Sequence, residues 1–161
     1  MTTKPVTDTI AAGFILSFRD LAKRVSALSQ NLSEEEFWTK PYTYGNSFGH
    51  LVLHITGNLN YYIGAQIGNT GYVRDRQREF TDGTCAPKEQ VLHGLDEAVN
   101  VVVATLERQT ADSWSNEYRA IGVADFVKDR FAIVLRCATH FQHHLGQMVY
   151  LEKEFSKARS R

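Results

Sequence analysis

Four long stretches of helical periodicity within 161 residues constrain the fold most strongly. Over about 7–29, apolar residues recur every three or four positions through Ile10, Phe14, Leu21, Val25 and Leu28. The spacing predicts a second helix from Ser47, a good capping residue, to about Ile67. A third is expected over about 88–108, with Val91, Leu95, Val99, Val102 and Leu106 on one face. The fourth is expected from near Ala124 to about Phe155. Between the first two, Ser33 and Glu36 form a capping-box pattern that opens a short helix. Residues 41–46 and 110–123 read as connectors, and 68–87 as a long loop rich in Gly, Thr and charge. Loops of that length in compact domains often carry function. Strand signals are weak, since Val101, Val102 and Val103 fall inside a helix-length periodic stretch. The expectation is an all-α four-helix bundle with long connections, one domain over residues 1–161.

Charge narrows the function classes. Eighteen Lys and Arg balance eighteen Asp and Glu, so the formal net charge is zero with neutral histidines. A chain that holds nucleic acid by neutralising phosphates needs a basic surplus, and no nucleic-acid partner is expected. No apolar run reaches the roughly 18–20 residues of a membrane-spanning helix, so no membrane partner is expected. The opening residues, Met1 to Pro5, lack a basic region followed by an apolar core. Two cysteines, Cys85 and Cys137, make no disulfide framework, and a reducing cytoplasm is the expected location.

Five of the six histidines fall in two clusters: His50 and His54 on the second helix, and His140, His143 and His144 on the fourth. At about 100° per residue, His144 shares a direction with Phe126, Ile133, Cys137, Phe141, Met148, Leu151 and Phe155. His140 lies about 40° to one side, and His143 about 100° away. On the second helix, Leu51, Asn58, Tyr61 and Ala65 share the direction of His54. A bundle therefore turns His54, His140 and His144 toward one interior. Buried imidazole nitrogens need hydrogen bonds or a metal. One such histidine is ordinarily a satisfied core residue; three, including an i,i+4 pair, suggest a three-nitrogen metal site with positions open to water or substrate.

Two segments resemble a known family. Ser47-Phe-Gly-His-Leu-Val-Leu-His54 is similar to the second-helix motif of the DinB-like metal-binding four-helix bundles. His140-Phe-Gln-His-His144-Leu-Gly-Gln147 resembles their fourth-helix motif. The segment from Leu32 to Phe37, with Lys40-Pro41 and Asn46-Ser47, fits their first inter-helix connection. The run from Arg74 to Phe80, with Gly146 to Leu151, looks like one subfamily of unknown function. The resemblance implies that His54, His140 and His144 are metal ligands; His50 is not at a matching position. Some relatives are thiol-dependent transferases or isomerases in which a metal activates a low-molecular-weight thiol. The family name refers to induction by DNA damage, which is not a DNA-binding activity.

Other residues carry two readings each. Cys137, three positions before His140, offers an alternative ligand set with His140 and His144, against the usual core packing of a free cysteine. Gln147 lies about 60° from His144 and can reach the site or simply pack. His143 can orient the site or remain solvated, and His93 has no clustered partner. Tyr61 and Tyr62 either line a pocket or pack in the core with wet hydroxyls. The loop from Arg74 to Phe80 can clamp an anion or stay solvated; no carboxylate is assigned as general base, and Glu79 is a loop candidate only. A second apolar face of the second helix, through Phe48, Val52, Leu59 and Ile63, calls for a further element or a homodimer partner. These residues lead to a metal-dependent enzyme of thiol-transferase or hydrolase type, acting on a small molecule with zinc or nickel, or with iron or manganese. The alternative is a non-catalytic, dimerising metal-binding stress-response protein.

Overall fold

The structure, a computed structural model, describes residues 6–160; Met1 to Pro5, read above for a secretory signal, lie outside them. Six α-helices follow in order: α1 (Val6–Ser29), α2 (Glu34–Trp38), α3 (Phe48–Leu59), α4 (Arg78–Thr81), α5 (Lys88–Leu106) and α6 (Arg130–Arg159). A π-helical segment (Asn60–Ala65) extends α3, and a 3-10 turn (Asp112–Ser115) interrupts the last connection. Among the described residues, extended pairing is limited to one isolated bridge between Glu117 and Asp129.

The four long helices pack in a ring: α1 lies against α5 and α6, and α3 lies against the same two. The pairs α1/α3 and α5/α6 are therefore diagonal, so the connections joining them cross the bundle and must be long. Side chains seal the ends that these crossings expose. Ser33 accepts from the Glu36 backbone N–H at 3.1 Å while Glu36 accepts from the Ser33 N–H at 2.9 Å, completing the capping box. Lys88 Nζ donates to the Ser29 and Leu32 carbonyls at 3.1 and 2.7 Å, placing a cation on the C-terminal end of α1. Ser47 caps α3 through the His50 N–H.

The core is apolar and continuous. Phe48, Val52, Leu59 and Ile63 are all 0% exposed and belong to it, with α5 packed against their helix. The second apolar face of α3 is thus covered within the chain and does not itself require a partner. None of the helices is long and apolar enough to cross a membrane among the described residues.

Two expected boundaries shift. Helix α6 begins at Arg130 instead of near Ala124, and Phe126 is 74% exposed rather than part of its apolar face. The cause is tertiary pairing. Tyr118 N–H donates to the Lys128 carbonyl at 2.9 Å and Arg130 N–H to the Asn116 carbonyl at 3.2 Å. These bonds tie the chain on either side of Asp129 to the 116–118 segment and keep Asp129 extended, and its side chain then caps α6 through the Ala132 N–H at 2.8 Å. The second change is in α3, whose regular hydrogen bonding gives way to the π segment after Leu59. There the Tyr118 hydroxyl donates to the Tyr62 carbonyl at 2.9 Å, and the Tyr62 hydroxyl donates to the Gly122 carbonyl at 3.1 Å. Gly122 has φ +79°, a left-handed conformation that glycine adopts without strain.

Candidate metal centre

Histidines from two helices converge. His54 projects from the middle of α3, while His140 and His144 stand one turn apart on α6. His140 Nε2 lies 3.2 Å from His54 Nε2 and 3.0 Å from His144 Nε2. The three rings meet at steep angles, with centroids 4.4–5.0 Å apart. Two nitrogens that each lie about 2.1 Å from one ion are themselves about 3–3.4 Å apart, so these separations suit a shared cation. His54, His140 and His144 form a group that can hold a metal ion.

The opposite edges of two rings are tied down. His54 Nδ1 lies 2.8 Å from Glu79 Oε2. A carboxylate only accepts, so Nδ1 carries the proton and Nε2 turns its lone pair toward the other histidines. Arg74 Nη2 also lies 3.3 Å from Nδ1, but a protonated Nδ1 cannot accept from it. That guanidinium instead donates to Glu79 at 2.6 Å through Nε and 2.8 Å through Nη2, a bidentate pair with both side chains 7% exposed. Gly57 makes the approach feasible: a Cβ there would lie 2.1 Å from Glu79 Oε1. The Phe80 ring packs against His54 at a 38° tilt, with centroids 4.7 Å apart.

On α6, His144 Nδ1 lies 2.7 Å from Gln147 Oε1. The amide oxygen accepts, which again leaves Nε2 as the free lone pair. Gln147 Nε2 then donates to His143 Nε2 at 3.3 Å, fixing the amide's orientation from the solvent side. Gln147 and His143 therefore both bear on the site, by orienting His144.

Electrostatics favour the neutral form of His140 and His144, the form that ligates metal. Burial, followed by the neighbouring His144 and His54, pushes His140 down to about 3. Burial also lowers His144, against the hydrogen bond to Gln147, which raises it. Burial alone would raise the Glu79 carboxyl, but hydrogen bonds from His54 and Arg74 outweigh it and hold Glu79 below its ordinary range. Both Glu79 oxygens are committed on the far side of the His54 ring from the three Nε2 atoms, so Glu79 orients a histidine and is not placed as a general base.

The remaining candidates separate. The α6 core line runs through Ile133, Cys137, Phe141 and Met148, with His140 and His144 half-buried along its flank; His144 is off the centre expected from the periodicity. Cys137 is fully buried and its thiol is pushed up to about 12 by burial, as a core residue would be; it is not part of the three-residue group. His50 is a structural anchor. Its Nε2 donates to the Asp82 carbonyl at 3.1 Å, and its Nδ1 accepts from the Ser47 hydroxyl at 2.6 Å. His93 lies on the exposed side of α5, 3.5 Å from Glu97. Tyr61 and Tyr62 line a cavity of about 590 Å³ that opens beside His54 and His140. The 68–87 loop forms one wall of this cavity, so only part of its charge run is solvated.

Sequence reading did not single out Gly57 or Arg136 in this region, placed Asn58 on the face of His54 without a role, and left Glu79 as a loop candidate without an assigned role. Helical register offered a usable signal for two of them, because Asn58 and Arg136 stand four residues from His54 and His140.

Fold and site together define a class: an all-α helical bundle whose facing helices present a three-histidine group able to hold a metal ion. Residues 10–160 match a family described as "Protein of unknown function (DUF1572)", and the chain belongs to that family. No curated protein matches the chain.

Proposed function

We propose that the chain is a metal-dependent enzyme of the DinB-like type, with His54, His140 and His144 as ligands of a divalent ion. One observation carries this reading: three Nε2 lone-pair positions converge while Glu79 and Gln147 occupy the Nδ1 edges of two of the rings. Core histidines that merely satisfy one another do not need two external acceptors set to fix their tautomers. The ion is zinc or nickel, with iron and manganese also compatible with imidazole donors. Three protein ligands leave coordination positions open, the arrangement of catalytic rather than structural sites. A bound ion supplies Lewis acidity, lowering the pKa of a thiol or water and making its anion available as the nucleophile.

The protein's own groups do the rest. Glu79 and Arg74 hold His54 in one ring orientation, and Gln147 does the same for His144. The adjoining cavity admits a small molecule beside His54 and His140. These features support transfer of a low-molecular-weight thiol to a small substrate, or hydrolysis of that substrate.

The test is elemental analysis of purified protein and of His144→Ala, followed by turnover assays of the metal-loaded chain with thiol cosubstrates. Stoichiometric divalent metal that is lost in His144→Ala is the expected result. Unchanged metal content in that variant would overturn the ligand assignment. Stoichiometric metal without turnover by any thiol would instead favour a non-catalytic metal-binding role.

A further inference from the structure

We infer that Arg136 and Asn58 build a subsite, one helical turn from the three histidines, for the carboxylate end of an N-acyl amino-acid-like small molecule. The inference deepens the proposed function by naming a substrate class for the same cavity. It rests on that reading only for the claim that the bound molecule reacts.

Register places the pair. Arg136 precedes His140 by four residues and Asn58 follows His54 by four, each about 6 Å along its helix. His54 faces His140, and Tyr62, eight residues further along, faces Arg136 with the guanidinium 6.0 Å from the ring centroid. The two helices therefore run antiparallel here, and Asn58 and Arg136 belong to the same layer. Both line the cavity that His54 and His140 also line.

The polar groups in this layer are unsatisfied. Asn58 is 3% exposed, yet its Oδ1 has no hydrogen-bond partner among the described residues. Arg136 Nη1 is buried and is also without a partner among them. Each such group costs free energy when desolvated and left unpaired, and both belong to residues that line one cavity, so a ligand seated against those residues would complete them. The other deep cation differs: Arg74 is neutralised by Glu79. Arg136 has no acidic partner among the described residues, and the Tyr62 face beneath it leaves its planar donors free.

The chemistry of the occupant follows from the donors and acceptors. A guanidinium fork matches a carboxylate through paired N–H donors. Asn58 Oδ1 accepts, so it needs an N–H close to that carboxylate. At the outer end of the cavity, Val73 and Ile121 are 88% and 87% exposed and offer apolar contact. An anion, an adjacent amide N–H and an apolar body together describe an N-acylated amino acid.

Titration of hippurate (N-benzoylglycine) into the full chain, followed by calorimetry, tests the subsite directly. Saturable binding is expected, with hippurate methyl ester at least tenfold weaker. Arg136→Gln should weaken hippurate about tenfold or more, as loss of a charge-assisted contact does, and Arg136→Lys should retain part of the affinity. Asn58→Ala should weaken hippurate but leave the preference for acid over ester. Equal affinity for acid and ester, or no saturable binding, would overturn the inference; both readings use the unaltered chain and so survive any misfolding of a variant. Unchanged affinity in a folded Arg136→Gln protein would overturn it as well. Running the same titration on chelator-treated protein separates the two claims. Hippurate bound by a chain that never takes up metal would sink the metal reading alone. Metal bound by a chain that ignores hippurate would sink this inference alone.

Discussion

His54 Nδ1 donates to Glu79 Oε2 at 2.8 Å across a separation of 25 residues, joining the middle of α3 to the short helix α4 in the connection that follows it. This bond couples metal affinity to loop structure. Glu79→Gln removes the charge that polarises His54 and leaves buried Arg74 without its counter-ion. Metal affinity should fall about 10–100-fold, as measured by competition with a chromophoric chelator. Stability of the metal-free protein should fall by about 3 kcal/mol, seen in denaturant unfolding. An affinity within a factor of two of the original would show that the carboxylate does not act on the ligand.

Gly57→Ala tests the same link from the other side. The new Cβ would sit 2.1 Å from Glu79 Oε1, so the carboxylate must withdraw. Overpacking of this kind costs about 1–3 kcal/mol, and metal affinity should drop alongside stability. A variant with unaltered melting temperature and unaltered chelator competition would mean that Glu79 moves aside freely.

Gln147→Ala should act in the same direction but more weakly. The Gln147 amide is exposed and its place near His144 is shared with solvent, which can replace its hydrogen bond. Metal affinity is expected to fall several-fold, less than in Glu79→Gln. A larger loss than in the glutamate variant would reverse the assigned order of importance.

Cys137→Ser separates core packing from ligation. A hydroxyl in place of the fully buried thiol costs about 1–3 kcal/mol in stability, while metal stoichiometry stays the same. Loss of metal from the folded variant would restore the set of Cys137, His140 and His144.

Stability of the metal-stripped protein should rise with pH between about 3 and 6.5. His140 is held down from 6.5 to about 3 by burial and then by His144, His54, Arg136 and Arg74. The unfolded chain therefore binds more protons than the folded one within that window, so acidification favours unfolding. The contribution is fully present above 6.5 and is lost as pH falls toward 3. Glu79, held below its ordinary value, adds a dependence of the same sign at the acidic end. Thermal melts from pH 7 to pH 4 on wild type and His140→Ala read the effect: the variant should show a shallower decline. Parallel curves would place the acid sensitivity elsewhere.

Periodicity and local capping chemistry gave the all-α class directly, because a helix's core-facing stripe and its first-turn cap are written within a few residues of one another. Ser33, Glu36 and Ser47 cap as their spacing implies. The convergence of His54, His140 and His144 was also legible, since i,i+4 spacing puts two rings on one side of α6 and the apolar face of α3 aims the third inward. The start of α6 was not. Residues 124–129 have helical periodicity, but the pairing of Glu117 with Asp129 competes for their backbone and wins through contacts that the local sequence does not encode.

What the sequence by itself determined is which residues share a helix face, and with it the bundle and the three imidazoles. Only the tertiary structure decided which loop residues meet that face. Glu79 and Arg74 reach His54 because the loop folds back over Gly57, and Arg136 meets Tyr62 because α3 and α6 run antiparallel. Helical register is fixed by backbone hydrogen bonds a few residues apart, whereas the position of a long loop is fixed by burial and ion pairing between distant segments. The histidines could therefore be read in advance, while the groups that orient them and the unsatisfied pair beneath them could not.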